Sequence, residues 1–396
     1  MSAAHSTRQA AVRTAALIVG VGVTCALHIG KLPVAIPALQ ADLGVSLVQA
    51  GFLLSLVQFA GMTLGLLVGL AADRLGPRRV MLWGLLALML GSAWGAMSQS
   101  PQQLLASRAL EGLGFLLAVL PAPGLIRRHV ADPQLLARSL GWWGAYMPLG
   151  AALALLLGAP VVQALGWQAA WWGLTACSAL AWLALWRGLP PDAAQGPGAA
   201  LGPRLWRTLG APGPWLVAVA FFLYSGQWLA VIGFLPTILT EAGIAGTAAG
   251  MLSAVAAAVN MGGNIGAGRW IAHGSSPRLV MSVGYLAMGV GAVLAFALPQ
   301  APVLQYLAVL AFSGLGGLVP GTLFGVAMRL APGEDSISTT VGWMQQFSAL
   351  GQFVGPPFVA WVATQAGGWH FTWTATAACS LLGIWFAARI ERALRT

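Results

Sequence analysis

Twelve apolar runs, each long enough to cross a lipid bilayer as a helix, follow one another along this sequence, and only two basic residues fall deep inside them rather than at their ends. Cutting at charges, Pro/Gly clusters and polar turns places the runs at about 14–36, 47–70, 80–98, 102–125, 138–160, 168–186, 215–239, 248–270, 279–298, 302–328, 338–363 and 370–389. An uncharged run of about 20 residues spans the hydrocarbon core. Ten-residue segments of alternating polarity, the mark of a membrane barrel, are absent. Composition points the same way: 7% of the residues are charged, against about 25% in soluble proteins. So little charge cannot cover the surface of a soluble domain.

The basic residues test the span count. With the N-terminus in the cytoplasm, Arg8, Arg13, Arg74, Arg78, Arg79, Arg127, Arg128, Arg138, Arg187, Arg204, Arg207, Arg269, Arg278, Arg329, Arg389, Arg392 and Arg395 all fall on the cytoplasmic side, 17 of the 19 basic residues. The other two, Lys31 and Arg108, lie inside spans, so the outer loops hold none. This asymmetry predicts a multi-pass protein of a bacterial inner membrane with both termini cytoplasmic. The net charge of +10 would suit nucleic acid only if it were gathered on one solvated face, and it is not. Cys25, Cys177 and Cys379 stand far apart in apolar runs and read as small buried side chains. Arg8 and Arg13 precede the first run as in a secretory leader, but no A-x-A site ends it, which predicts an uncleaved first span.

The longest polar segment, Gly188 to Pro214, is rich in Pro, Gly and Ala and reads as a flexible cytoplasmic linker. It divides the chain into 1–187, six spans, and 215–396, six more. The halves repeat each other. Pro37-x4-Asp42 matches Pro236-x4-Glu241 and Gly51 matches Gly250, offset by 199. Pro77 to Met81, "PRRVM", matches Pro277 to Met281, "PRLVM", offset by 200; Gly141-Trp142 and Gly150 match Gly342-Trp343 and Gly351, offset by 201. Parallel six-span repeats place a substrate site between the halves near the midplane.

Between the second and third spans the sequence reads G-x3-D-R-x-G-x-R-R: Gly69, Asp73, Arg74, Gly76, Arg78 and Arg79. Glycines let helix ends approach closely, and a carboxylate among guanidiniums makes strong, breakable pairs. The stretch resembles the signature loop of the major facilitator superfamily, and with the topology and the repeat the resemblance covers essentially the whole chain. It implies an all-α membrane protein of twelve transmembrane helices in two pseudo-symmetric six-helix bundles that rock about a central site. It also implies that this loop steadies the outward-facing state by pairing charges at the cytoplasmic bundle interface. The second copy has decayed, with His273 and Gly274 where Asp73 and Arg74 stand, so the latch is expected to be asymmetric.

Ionisable groups inside spans are costly and mark functional sites by default. His28 and Lys31 lie in the first span, Arg108 and Glu111 in the fourth. Lys31 and Arg108 sit at similar depths on helices that run oppositely, about 10 Å from the outer helix ends. The resemblance implies that spans one, four, seven and ten line the central path. "LASRALEGLGF" resembles the family's fourth-helix signature, with Glu111 in place of its usual glutamine. Arg108 and Glu111, at i and i+3, share a helix face and can neutralise each other; Lys31 can snorkel to the interface. Otherwise three cationic groups against one acid predict a pocket for a small organic or inorganic anion, and Glu111 is the candidate proton carrier. Tyr224, Gln227, Trp228, Asn260, Gln345 and Gln346 are expected to complete the substrate site from the second half. Asn264 in the eighth span and Trp343, mid-span like Trp228, are further candidates to line the cavity; Tyr146 and Gln58 are weaker candidates from the first half. Each is as readily a helix-to-helix hydrogen bond or packing contact.

These observations predict a monomeric secondary transporter, a symporter for a small anion with no cofactor and no metal. A multidrug/proton antiporter for lipophilic compounds is the alternative. That subgroup carries G-P-x-x-G-G in its fifth helix; here Gly144 to Leu153 read "GAYMPLGAAL", which departs from it. The W-x4-P-L-G form is faintly similar to cyanate/nitroimidazole-type members. No HExxH, GxSxG or metal-spaced His/Cys cluster argues for an enzyme, and no GxxxxGK[ST] for a nucleotide-driven pump.

Overall fold

In a computed structural model of the chain, the structure describes residues 2–192, 201–298 and 301–395, and helices account for nearly all of it. The first span is α1 (Ser2–Leu43). The second is α2 (Leu47–Ser55) and α3 (Phe59–Leu75), joined by a 3₁₀ turn at Leu56–Gln58. The third is α4 (Pro77–Ala96) and the fourth α5 (Pro101–Val119) with α6 (Ala122–His129). The fifth is α7 (Pro133–Gly144) with α8 (Tyr146–Leu165) and the sixth α9 (Trp167–Gly188). After α10 (Leu201–Gly210), the seventh span is α11 (Pro212–Glu241) and the eighth α12 (Gly246–Ala258) with α13 (Asn260–Ala272). The ninth is α14 (Pro277–Phe296), the tenth α15 (Pro302–Gly316) with α16 (Leu318–Arg329), the eleventh α17 (Ile337–Ala366) and the twelfth α18 (Thr372–Ala393).

Eleven of these spans are long and apolar enough to cross a membrane by length and composition. The exception, α17, has 30 residues, but Gln345, Gln346 and Gln352 dilute its apolar character. A helix with that much polar surface stays in a bilayer only when neighbouring helices cover it. Here α11 packs on one side and α2 and α3 on the other, where Gln346 and Gln352 find partners, while Gln345 stays exposed.

Short polar turns punctuate the spans, and their side chains cap the helices that follow. Ser46 and Gln49 form a capping box at α2, and Ser100, Asp132 and Ser276 cap α5, α7 and α14. Each cap satisfies amides that a helix start leaves unpaired. One element differs from expectation. The linker expected to be flexible through Pro214 contains α10, and α11 starts at Pro212; residues 193–200 lie outside the described part. Its sequence, "LGPRLWRTLG", sets Leu205 and Leu209 one turn apart, while Trp206 is 77% exposed. That is the pattern of a helix lying at a membrane interface, where indole rings concentrate.

The repeat is physical. The second and eighth spans both break near their middles, over Leu56–Gln58 and at Val259. At the end of the molecule away from the termini, Trp167 Nε1 donates to Asp42 (3.0 Å) and Trp369 Nε1 donates to Glu241 (2.7 Å). The halves meet along α2 and α3 against α17, α8 against α12, and α1 against α11. A methyl group at Gly51 would come within 2.8 Å of the Pro357 backbone, and one at Gly250 would fall against Leu155 and Ala159. Thr247 donates to Gln163 across the same seam. These tight contacts close the end away from the termini.

Candidate functional site

Four helices of the first bundle, α1, α4, α5 and α9, surround a cluster of charges. Close approach makes it possible: Gly91 of α4 leaves room for Glu111, whose Cγ would stand 2.9 Å from a methyl group there. Arg108 and Glu111, one turn apart on α5, pair through Nη1 and Oε2, as their spacing predicts. The Lys31 ammonium donates to the other carboxylate oxygen, Oε1, at 2.5 Å and to Ser92 Oγ at 3.1 Å. It also lies 4.4 Å from the Trp171 ring centre. Ser92 Oγ in turn donates a hydrogen bond to the Trp171 carbonyl oxygen (2.9 Å). Arg108 further donates to the carbonyl oxygens of His28 (2.9 Å) and Leu53 (3.1 Å). His28 Nε2 meets Ser178 Oγ at 2.8 Å, and its Nδ1 stands 3.6 Å from Glu111 Oε1.

The structure thus brings His28, Lys31, Arg108 and Glu111 together, but within the first bundle. Arg108, Glu111 and His28 are 0% exposed and Lys31 2%. Every polar partner just named belongs to that bundle. Three buried atoms at the cluster have no hydrogen-bond partner: His28 Nδ1, Arg108 Nη2 and Trp171 Nε1.

The second-half candidates fall into two groups. Tyr224 of α11 and Asn260 of α13 hydrogen-bond to each other, Asn260 Nδ2 to Tyr224 Oη at 2.9 Å. Asn260 also donates to the Ser313 carbonyl (2.7 Å), Asn264 donates to Asn260 Oδ1 (2.9 Å), and Trp228 Nε1 donates to Ser313 Oγ (3.0 Å). Trp228 packs against the cores of both bundles, so it stands at the seam. Gln227 is turned into its own bundle, where it bonds Ser380 (3.2 Å) and the Leu223 carbonyl (2.9 Å). Gln346 crosses the seam and donates to the Met62 carbonyl (2.8 Å); Gln58 likewise donates to Gln352 (2.9 Å). Gln345 is exposed.

Between the second and third spans, the surroundings of Gly69 and the side chains of Asp73 and Arg74 lie outside the described part. Gly76 has φ +94°, a conformation that favours glycine. The amides of Arg78 and Arg79, which follow it, donate to Asp192 (3.2 and 2.9 Å), and Arg78 Nη2 donates to the Trp186 carbonyl (2.5 Å). The carboxylate thus sits at the start of α4, where unpaired amides and the helix dipole favour an anion. Sequence reasoning missed Asp192, which it folded into the linker; its position right after a span that ends in Arg187 was the available signal. Ser92, Trp171 and Ser178 were missed too. Hydroxyls and indoles in apolar runs announce nothing on their own.

The sequence profile of the Major Facilitator Superfamily matches residues 15–356 and 217–395. The chain belongs to that superfamily. Among curated relatives, a puromycin resistance protein of Streptomyces alboniger is 34% identical over 136 residues, 34% of this chain and 27% of that protein. The chain therefore aligns with only about a quarter of that relative's length. The 2-nitroimidazole transporter of Escherichia coli is 26% identical over 341 residues, 84% of each chain. A solved bacterial homologue of the human lysosomal transporter Spinster, inward-facing and unoccupied, superposes with a TM-score of 0.71 at 17% identity, covering 98% of this chain and 97% of its own. Membership of this superfamily, together with the spans described above, makes the chain a multi-pass membrane protein.

Proposed function

We propose that this transporter is a secondary carrier for a small, uncharged organic solute, moved by alternating access between the two bundles. One observation carries the choice of solute: the intramembrane cations Lys31 and Arg108 spend their hydrogen bonds inside the first bundle, behind 0–2% exposed side chains. A charge already paired and sealed makes a poor clamp for a passenger. The polar groups at the seam are neutral: Trp228, Gln58, Gln346 and Gln352. An indole and amides suit a flat heteroaromatic molecule. The length-wide similarity to a 2-nitroimidazole transporter supports the same class. The basic asymmetry supports an inner membrane with cytoplasmic termini. The loop of Gly69, Asp73, Arg74, Gly76, Arg78 and Arg79 serves as the cytoplasmic latch, anchored through the amides of Arg78 and Arg79 by Asp192.

The second reading, a small anion, is favoured by the unpartnered Arg108 Nη2 and by the excess positive charge around it. Thermal unfolding of the purified protein with 2-nitroimidazole, benzoate or tetraphenylphosphonium separates the cases. Stabilisation by 2-nitroimidazole alone supports the proposal. Stabilisation by benzoate that Lys31→Ala and Arg108→Ala both abolish replaces it with the anion reading. Stabilisation by the lipophilic cation alone would favour drug efflux.

A further inference from the structure

Of the nineteen basic residues, Lys31 is the single lysine. The distinction matters because a guanidinium keeps its proton in proteins, whereas a buried ammonium can release one. Glu111 is bracketed, with Arg108 on Oε2 and Lys31 on Oε1. Arg108 is fixed in addition by two backbone carbonyls. One carboxylate and two cations leave a surplus of one positive charge in a sealed place, and burying an uncompensated charge is expensive. Protonating Glu111 would raise that surplus. Losing a proton from Lys31 removes it and leaves the Arg108–Glu111 pair intact.

We propose that Lys31 carries the coupling proton of this transporter, with Arg108 and Glu111 as its fixed counter-pair. The inference rests on the proposed function only in that a secondary carrier needs a driving ion, and it moves that role from Glu111 to its neighbour. On release the N–H bond breaks, the electron pair stays on Nζ and the proton leaves on a water that enters the first bundle to reach it during the cycle. On the other side of the cycle, Nζ takes a proton back from water. The surroundings serve the charged form: Ser92 Oγ accepts from it, and the Trp171 face attracts it. They also tolerate the neutral form, because Ser92 keeps its own bond to the Trp171 carbonyl. The charged and titratable groups facing Lys31 are His28 on its own helix and Arg108 and Glu111 on α5. Helices α4 and α9 contribute Ser92, Trp171 and Ser178; their arginines, Arg78, Arg79 and Arg187, stand at the far ends of those helices.

A single lysine gives a clean experiment. Protein grown with ¹³Cε-lysine shows one side-chain signal, which reports the protonation of Lys31 without assignment. The signal is expected to titrate as pH rises while the protein stays folded. Glu111→Gln should move the titration to lower pH by removing the charge that favours the ammonium. Arg108→Gln should move it to higher pH by removing a repelling one. A signal that never titrates, or titrates alike in all three proteins, overturns the proposal. In proteoliposomes, Lys31→Arg keeps the charge but cannot release the proton. The ratio of pH-gradient-driven accumulation to counterflow of 2-nitroimidazole is expected to fall about tenfold or more; an unaltered ratio overturns the proposal. If the unsubstituted protein moves no 2-nitroimidazole, the solute assignment fails, and the lysine titration alone decides the proton carrier.

Discussion

The two bundles share one frame and fill its centre differently. His28 with Ser178 in the first bundle is matched by Gln227 with Ser380 in the second, at 2.8 and 3.2 Å. The offset drifts from 199 to 202 residues along the repeat. The same drift pairs Lys31 with Ala230, Ser92 with Ala292, Arg108 with Val309 and Glu111 with Phe312. Glu111 packs over Gly91, and Phe312 packs over the equivalent Gly291. Ala230 and Phe312 are buried to within 1%. The frame therefore closes around an apolar centre as well as around a charged one. Since a buried ion cluster is often no more stabilising than apolar residues of similar volume, the charges in the first bundle are retained for something other than holding helices together.

Removing one member of each centre should produce the largest effects. Glu111→Gln leaves two cations facing each other without a carboxylate and should cost about 3–5 kcal/mol. Phe312→Ala opens a cavity in the second bundle and should cost a similar ~3–5 kcal/mol. Thermal unfolding in detergent measures both. A small loss for Glu111→Gln would mean that the ammonium had already given up its proton, which sharpens the contrast rather than erasing it.

The next step is transplantation. Lys31→Ala, Ser92→Ala, Arg108→Val and Glu111→Phe together rebuild the second bundle's centre in the first. The quadruple variant is expected to unfold at the same temperature or a higher one, and to lose pH-gradient-driven flux. Failure to fold would show that the ions support the frame after all, and that the bundles differ in architecture rather than in role.

Why the spans were legible while the site was only half so follows from these residues. Uncharged runs and basic gaps mark spans because the bilayer penalises every misplaced charge. The pairing of Arg108 with Glu111 could be read from i,i+3 spacing. That Lys31 joins them was foreseen only as similar depth, and the expected meeting place was the crevice. The rotation of α1 about its axis decides whether Lys31 faces the crevice or α4 and α9. A helix apolar on every side carries no stripe from which to read that rotation. The partners that settle it, Ser92 and Trp171, are ordinary membrane-helix residues, and Asp192 acts through backbone amides, which no side-chain motif records.

A smaller contrast lies at the helix starts. The ninth span, α14, is capped by its own Ser276, whose Oγ accepts from the Leu279 amide at 3.2 Å. The equivalent position in the first bundle is Gly76, which has no side chain, and Asp192 supplies the missing acceptor from beyond the sixth span. Either Ser276→Ala or Asp192→Ala should cost about 1 kcal/mol. Only Asp192→Ala should also raise hydrogen exchange at both the start of α4 and the end of α9, because only that cap ties two spans together. Equal and purely local exchange in both variants would remove the proposed anchoring of the latch.

The finest distinction concerns the imidazole and the amide. His28→Gln installs in the first bundle what the second already has at this position. Glutamine can reach the hydroxyl on the sixth span as Gln227 reaches Ser380, so the helix contact survives and stability should change by less than about 1 kcal/mol. The ring atom that disappears, Nδ1, is the unpartnered one 3.6 Å from the Glu111 carboxylate. If it carries no proton in the cycle, the ¹³Cε titration of Lys31 in His28→Gln should overlie that of the unsubstituted protein. A shift of that titration to higher pH would mean that the imidazole is itself charged during the cycle and repels the ammonium. The proton would then be shared along α1, and the two bundles would differ at His28 as sharply as they do at Lys31.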